Sequence, residues 1–167
     1  MGIGKTANSK QQTAKTGTAR RATADADPFA GAYSFRNLAV WQRAQELTDD
    51  VLDVIAALPN DRATSVLSQQ ILRSASSVAA NIAEGHGRYA AGAYRNHLSI
   101  ARGSTTETIG WIDLLARRRL VADADASVML HKCAELMKML TAKMIDLDKQ
   151  TGTARGFHDE RAGYDVE

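Results

Sequence analysis

The chain has 167 residues, 44% of them hydrophobic and 24% charged, the make-up of one ordinary globular domain with a core of its own. No apolar run approaches the ~20 residues of a membrane-spanning helix, and Met1 to Arg21 lacks the hydrophobic stretch of a secretory signal, so a cytoplasmic protein is expected. Cys133 is the single cysteine, which excludes an intramolecular disulfide and any cysteine zinc cage not shared between subunits, and predicts a reduced, buried thiol.

The formal net charge of +2 conceals an uneven distribution along the chain. Residues 1–34 carry +3, residues 35–61 carry −3 through Glu46, Asp49, Asp50, Asp53 and Asp61, and residues 62–119 carry +5. The remaining segments, 120–150 and 151–167, carry −1 and −2. The basic middle is all arginine. Residues 1–34 are built from Ala, Thr, Gly, Lys and Gln with no periodic apolar face, which predicts a disordered basic leader. From Thr151 to Glu167, Gly152, Gly156 and Gly163 interrupt a polar stretch and predict a flexible tail.

Between these ends, over residues 35–150, apolar residues recur at helical spacing in four segments. The first is expected to open at Asn37 as its N-cap, to carry Leu38, Trp41, Ala44, Thr48, Val51, Ile55 and Leu58 on its core stripe, and to stop at Pro59. Asp61 then caps a second helix bearing Leu67, Ile71, Ala75, Val78 and Ile82, with Gly85 and Gly87 read as the permissive backbone of its C-terminus. A third helix from near Ala90 places Tyr94, Leu98, Ala101, Thr105, Thr108, Ile112 and Leu115 on one stripe. A fourth opens at Asp123 or Asp125 and carries Met129, Cys133, Leu136, Leu140, Met144 and Leu147, with acids at its start and Lys149 at its end as the helix dipole prefers. Such helices are rods of ~33–40 Å at 1.5 Å per residue. Short connections force antiparallel neighbours, and no segment alternates with period two for long, so the expected fold is all-α, an antiparallel up-and-down four-helix bundle.

Helix two is poor in large side chains from Ser74 to Asn81. Helix three carries Ser99, Gly103, Thr106 and Gly110 at spacings of four, three and four, away from its core stripe. A mid-helix glycine costs ~1 kcal/mol relative to alanine, so this second face is expected to form a subunit interface, the alternative being tolerated surface residues.

Three blocks of this chain resemble one known family, the four-helix-bundle proteins first noticed as products of intervening sequences in 23S ribosomal RNA genes. They are Phe35-Arg36-Asn37-Leu38-Ala39-Val40-Trp41-Gln42 entering helix one, Gln70-Ile71-Leu72-Arg73-Ser74-Ala75-Ser76-Ser77-Val78-Ala79-Ala80-Asn81-Ile82-Ala83-Glu84-Gly85 in helix two, and Ile100-Ala101-Arg102-Gly103-Ser104-Thr105-Thr106-Glu107 in helix three. The resemblance covers about 35–150; the fourth helix matches only as an amphipathic pattern. It implies a ring-like homo-oligomer, commonly a pentamer, with no enzymatic activity. The accessory variability determinant proteins of diversity-generating retroelements are distantly similar, which brings a reverse transcriptase and RNA or DNA in as expected partners by analogy.

Nucleic acid has an independent reason in the arginines. Arg88, Arg95 and Arg102 are spaced by seven and are expected on one edge of helix three, with Arg73 on helix two and the run Arg117-Arg118-Arg119 adding to the same basic half. Arginine pairs bidentately with phosphate and stacks on bases, so a ring of subunits would multiply the stripe into a positive surface. The competing reading is a solvated face in which Arg73 pairs an acid such as Glu84 or Glu107. A third possibility, a metal enzyme, finds no Glu-x-x-His pair, and His131 and Cys133 point ~200° apart on a helix. Gln70, Ser77, Asn81 and Glu84 line one side of helix two and, with Glu107, are expected to form structural hydrogen bonds. No catalytic residue, cofactor or metal is implied. Two functions stand: a nucleic-acid-binding homo-oligomer, and alternatively a protein-interaction scaffold whose small-residue face and acidic first helix recognise other proteins.

Overall fold

A computed structural model describes residue 31 and residues 34–152. The expected basic leader and C-terminal tail lie outside the described residues except at their margins. A 3-10 turn, Phe35–Asn37, leads into α1 (Ala39–Ala57), followed by α2 (Arg62–His86), α3 (Ala91–Arg117) and α4 (Asp123–Gln150). Each helix packs on the next and α1 closes against α4. The pairings run antiparallel: Ser74 meets Thr108, Ser77 meets Ser104 and Asn81 meets His97 across α2 and α3. Across α1 and α4, Arg43 meets Glu135 and Asp50 meets Lys132. The fold is the expected antiparallel four-helix bundle.

The core stripes of α3 and α4 lie where helical periodicity puts them. All seven named residues of α3, Tyr94 through Leu115, are buried, as are Met129, Cys133, Leu136, Leu140, Met144 and Leu147 of α4. In α2, Ile71, Ala75, Val78 and Ile82 are buried and Leu67 is half-buried at the margin. Helix α1 is rotated from expectation. Its buried residues are Val40, Ala44, Leu47 and Val51, whereas Leu38, Trp41, Ile55 and Leu58 pack at the margin of the core. The N-terminal turn supplies the reason at one end, since Phe35 sets its ring edge-on to Trp41 at 5.2 Å and covers that side of the helix from outside the bundle.

The helix ends follow local chemistry, with two corrections to expectation. Asn37 does not cap α1: it sits inside the 3-10 turn with its amide on the Gly31 carbonyl, and Leu38 occupies the N-cap without a side-chain bond. Asp61 does cap α2, accepting from the Ala63 and Thr64 amides while the Thr64 hydroxyl accepts from the Asp61 amide, a complete capping box. Gly85 is no helix stop. It is buried inside α2, where a Cβ would lie 2.7 Å from both His97 Cβ and Tyr94 Cδ2, so its role is to let α3 approach the α2 backbone. At the end of α3 the Leu120 amide bonds the Leu115 carbonyl and the Arg119 amide bonds that of Ala116, both at 2.9 Å, a Schellman turn with Arg119 at φ 55 in the place glycine usually takes.

Candidate functional site

Along the α2–α3 seam, small and hydroxylated residues let the two backbones come close, and polar side chains fill the contact in register. Thr108 donates to Ser74 and Ser104 donates to Ser77, each at 3.0 Å. One turn further on, the Asn81 amide donates to the Ser77 carbonyl and hydroxyl, and its oxygen faces His97 Nδ1 at 3.4 Å. The ladder ends at Glu84, which pairs with Arg88 and stands 3.8 Å from His97 Nε2. The Arg88 hydrogen bond, then the charge of His97, hold the Glu84 carboxyl below its ordinary value. At the other end Arg73 bridges Gln70 at 2.9 Å and Glu107 at 3.2 Å, and Glu107 also accepts from the Trp111 indole. Ser77 and Asn81 thus sit in a ladder that runs from Ser74 to Glu84, while Gln70 and Glu107 meet through Arg73 in a second cluster at the exposed edge of the seam. Sequence reasoning did not find the ladder's partners on α3; Thr108 lies on the core stripe itself, and Ser104 and His97, four and eleven residues before it, follow the same helical spacing, which is the signal that marks them.

The arginines fall into two groups. Arg88 precedes α3, in the turn after Gly87, so the expected seven-residue edge of one helix holds only for Arg95 and Arg102; the chain turns between His86 and Ala91, and helical phase does not carry across it. Arg73 and Arg88 are committed to Glu107 and Glu84. Arg95 pairs with Asp148, a buried carboxylate near the end of α4, and so ties α3 to α4. Arg102 is half-buried. Arg117, Arg118 and Arg119 differ: all three are exposed at the α3 C-terminus, where the helix dipole favours positive charge, and none has a carboxylate partner among the described residues. Arg62, exposed at the start of α2, stands in the same state. Asp123 borders the hollow that Arg117 and Arg119 line.

Ser99, Gly103, Thr106 and Gly110 are all exposed, and a Cβ at either glycine would meet nothing within 4 Å. Cys133 is buried and its thiol is pushed up to about 12 by burial, so it is an inert core residue. Among the described residues no group of three or more His, Cys, Asp or Glu side chains could hold a metal ion, and no helix is long and apolar enough to cross a membrane.

The fold and its engaged polar seam define a four-helix-bundle protein of closely packed, small-residue type. Residues 36–142 match the family model described as 23S rRNA-intervening sequence protein, and the chain belongs to that family. Among solved structures it is similar to a protein of unknown function from the S23 ribosomal protein family of Bacteroides thetaiotaomicron, at TM-score 0.59 and 28% identity over 63% of this chain and 97% of that one. No curated protein matches the chain.

Proposed function

We propose that the protein is a non-catalytic homo-oligomer, pentameric as its family resemblance implies, that holds RNA or DNA against the arginines at the α3–α4 corner. The observation that supports this reading is the contrast among the arginines: Arg73, Arg88 and Arg95 are neutralised by carboxylates, while Arg117, Arg118 and Arg119 stand exposed and in no ion pair among the described residues. One cation is enough to answer the helix dipole; three consecutive arginines, Arg117 and Arg119 lining one hollow and Arg118 another beside it, give the corner surplus positive charge for phosphate, and assembly into a ring would repeat it in every subunit. The small-residue face of α3 is the surface on which a second copy would pack, and a reverse transcriptase or ribosomal RNA is the setting suggested by the family resemblance.

The triple change Arg117→Glu, Arg118→Glu, Arg119→Glu tests the patch, since all three side chains are exposed, with helical circular dichroism checking that α3 tolerates the reversed charge at its C-terminus. Binding of mixed-sequence RNA and single-stranded DNA to the unchanged protein is expected to weaken as salt rises, with a slope that falls by roughly 0.7–0.9 for each phosphate contact removed. A triple variant that binds as tightly as its parent would falsify the assignment. Failure of the parent to bind either nucleic acid at low salt would favour the scaffold reading.

A further inference from the structure

On the opposite flank from the α2–α3 seam, α1 and α4 part toward the α3–α4 connection and leave an open hollow of about 300 Å³. Val54 and Ala57 of α1 form one wall, Val128 and Met129 of α4 the other, and Leu120 and Val121 close the end. Val128 is half exposed, at 51%, although a valine on a helix flank beside a core methionine is suited to burial. The rim is acidic. Asp50, Asp53 and Asp125 border the hollow. Lys132 answers Asp50 at 2.7 Å, but Asp53 and Asp125 are exposed with no ion pair among the described residues, as are Asp49 and Asp123 nearby in the chain. Asp123 and Asp125 also lie in the first turn of α4, a place where acidic residues suit the helix dipole.

We infer that this acidic-rimmed apolar hollow is the docking site for a basic amphipathic segment of a partner protein. A large aliphatic side chain of the partner enters between Val54 and Val128, and lysines or arginines one helical turn to either side meet Asp53 and Asp125. Charge complementarity selects the occupant: an apolar peptide would leave two uncompensated carboxylates at a drying surface, and an acidic one would be repelled by them. A helix laid along the α1–α4 groove presents anchors at three- and four-residue intervals. The basic part of this chain's own leader, from Lys5 to Arg21, contains no large apolar residue to supply such an anchor. This site goes beyond the nucleic-acid reading and does not depend on it, because its surface carries the opposite charge.

The test uses the full chain and a fluorescein-labelled helical peptide of leucine and lysine at three- and four-residue spacing, followed by anisotropy. Binding is expected to the unchanged protein, to weaken at least ~10-fold in Asp53→Lys with Asp125→Lys, and to fall comparably when the leucines of the peptide become serine. The control pair Asp113→Lys with Asp146→Lys, also exposed acids, is expected to leave binding within ~2-fold, which separates docking from general attraction. Equal weakening by both pairs overturns the inference, as does a serine peptide that binds as well as the leucine one. So does an absence of peptide binding to the unchanged protein, and a loss of mass in Val128→Arg on light scattering would then make the hollow a contact between copies of this chain. The first pair adds positive charge, so its retention of RNA binding would keep the two functional readings apart.

Discussion

At the scale of single residues, the closest constraint in the molecule is a missing side chain. Gly85 lies inside α2 facing Tyr94 and His97, and the atoms that a Cβ would strike at 2.7 Å include the Cβ of His97, which is fixed to its own helix and cannot swing away. Alanine there gains up to ~1 kcal/mol of helix propensity but must push α2 and α3 apart, and overpacking of this kind costs ~1–3 kcal/mol. Gly85→Ala is therefore expected to destabilise the protein by about 1–2 kcal/mol, read as a lowered urea midpoint. A midpoint equal to or above that of the parent would show that the seam is loose at this point. The glycine was visible in the sequence and its role was not: near a helix end a glycine reads as a stop, and only the register between α2 and α3 reveals that it admits a neighbour.

At the scale of elements, α2 alone among the α-helices of the described residues has a side-chain bond at its N-cap. The Thr64 amide leads the bonds that hold the Asp61 carboxyl below its ordinary value of 3.8. A carboxyl with a depressed folded value stabilises the fold fully above its unfolded value and loses that contribution as pH falls through the folded one. Asp61→Ala is thus expected to lower the urea midpoint at neutral pH, and its gap from the parent is expected to shrink as pH drops below 3.8. A gap that stayed constant down to about pH 2.5 would mean that the ionised carboxylate contributes nothing to the cap. Asp61 was legible because a capping residue acts on atoms two and three positions away, within reach of sequence reasoning. The stripes of α3 and α4 were legible for a similar reason, each being a single unbroken period. Helix α1 was misjudged by a fraction of a turn because Leu38 and Trp41 look like core residues, although the turn at Phe35 covers Trp41 from outside. Pairings such as Arg95 with Asp148 depend on how far α4 extends past the start of α3, which no local pattern encodes.

At the scale of the whole molecule, the bundle pairs the polar ladder of its α2–α3 seam across the two helices and turns three unlike surfaces outward, a cationic corner at the end of α3, the small-residue face along its length and the acidic-rimmed hollow between α1 and α4. The face is where assembly is decided. Gly103 and Gly110 have open space around them, so in an isolated bundle each glycine only weakens its helix, and alanine at both positions is expected to stabilise a monomer by up to ~1 kcal/mol per site. If a second copy packs its backbone against these glycines, any side chain there intrudes on the contact, and a large one prevents it. Gly103→Leu with Gly110→Leu is accordingly expected to reduce the solution mass measured by light scattering from that of the oligomer to that of one chain, with helical circular dichroism retained because the leucines point to solvent. A parent protein that scatters as a single chain, or a double-leucine variant that keeps the full oligomer mass, would remove the small-residue face from the assembly. With no ring to multiply it, the Arg117 to Arg119 corner would then have to bind nucleic acid with the three guanidinium groups of a single subunit, and its salt dependence would be correspondingly shallow.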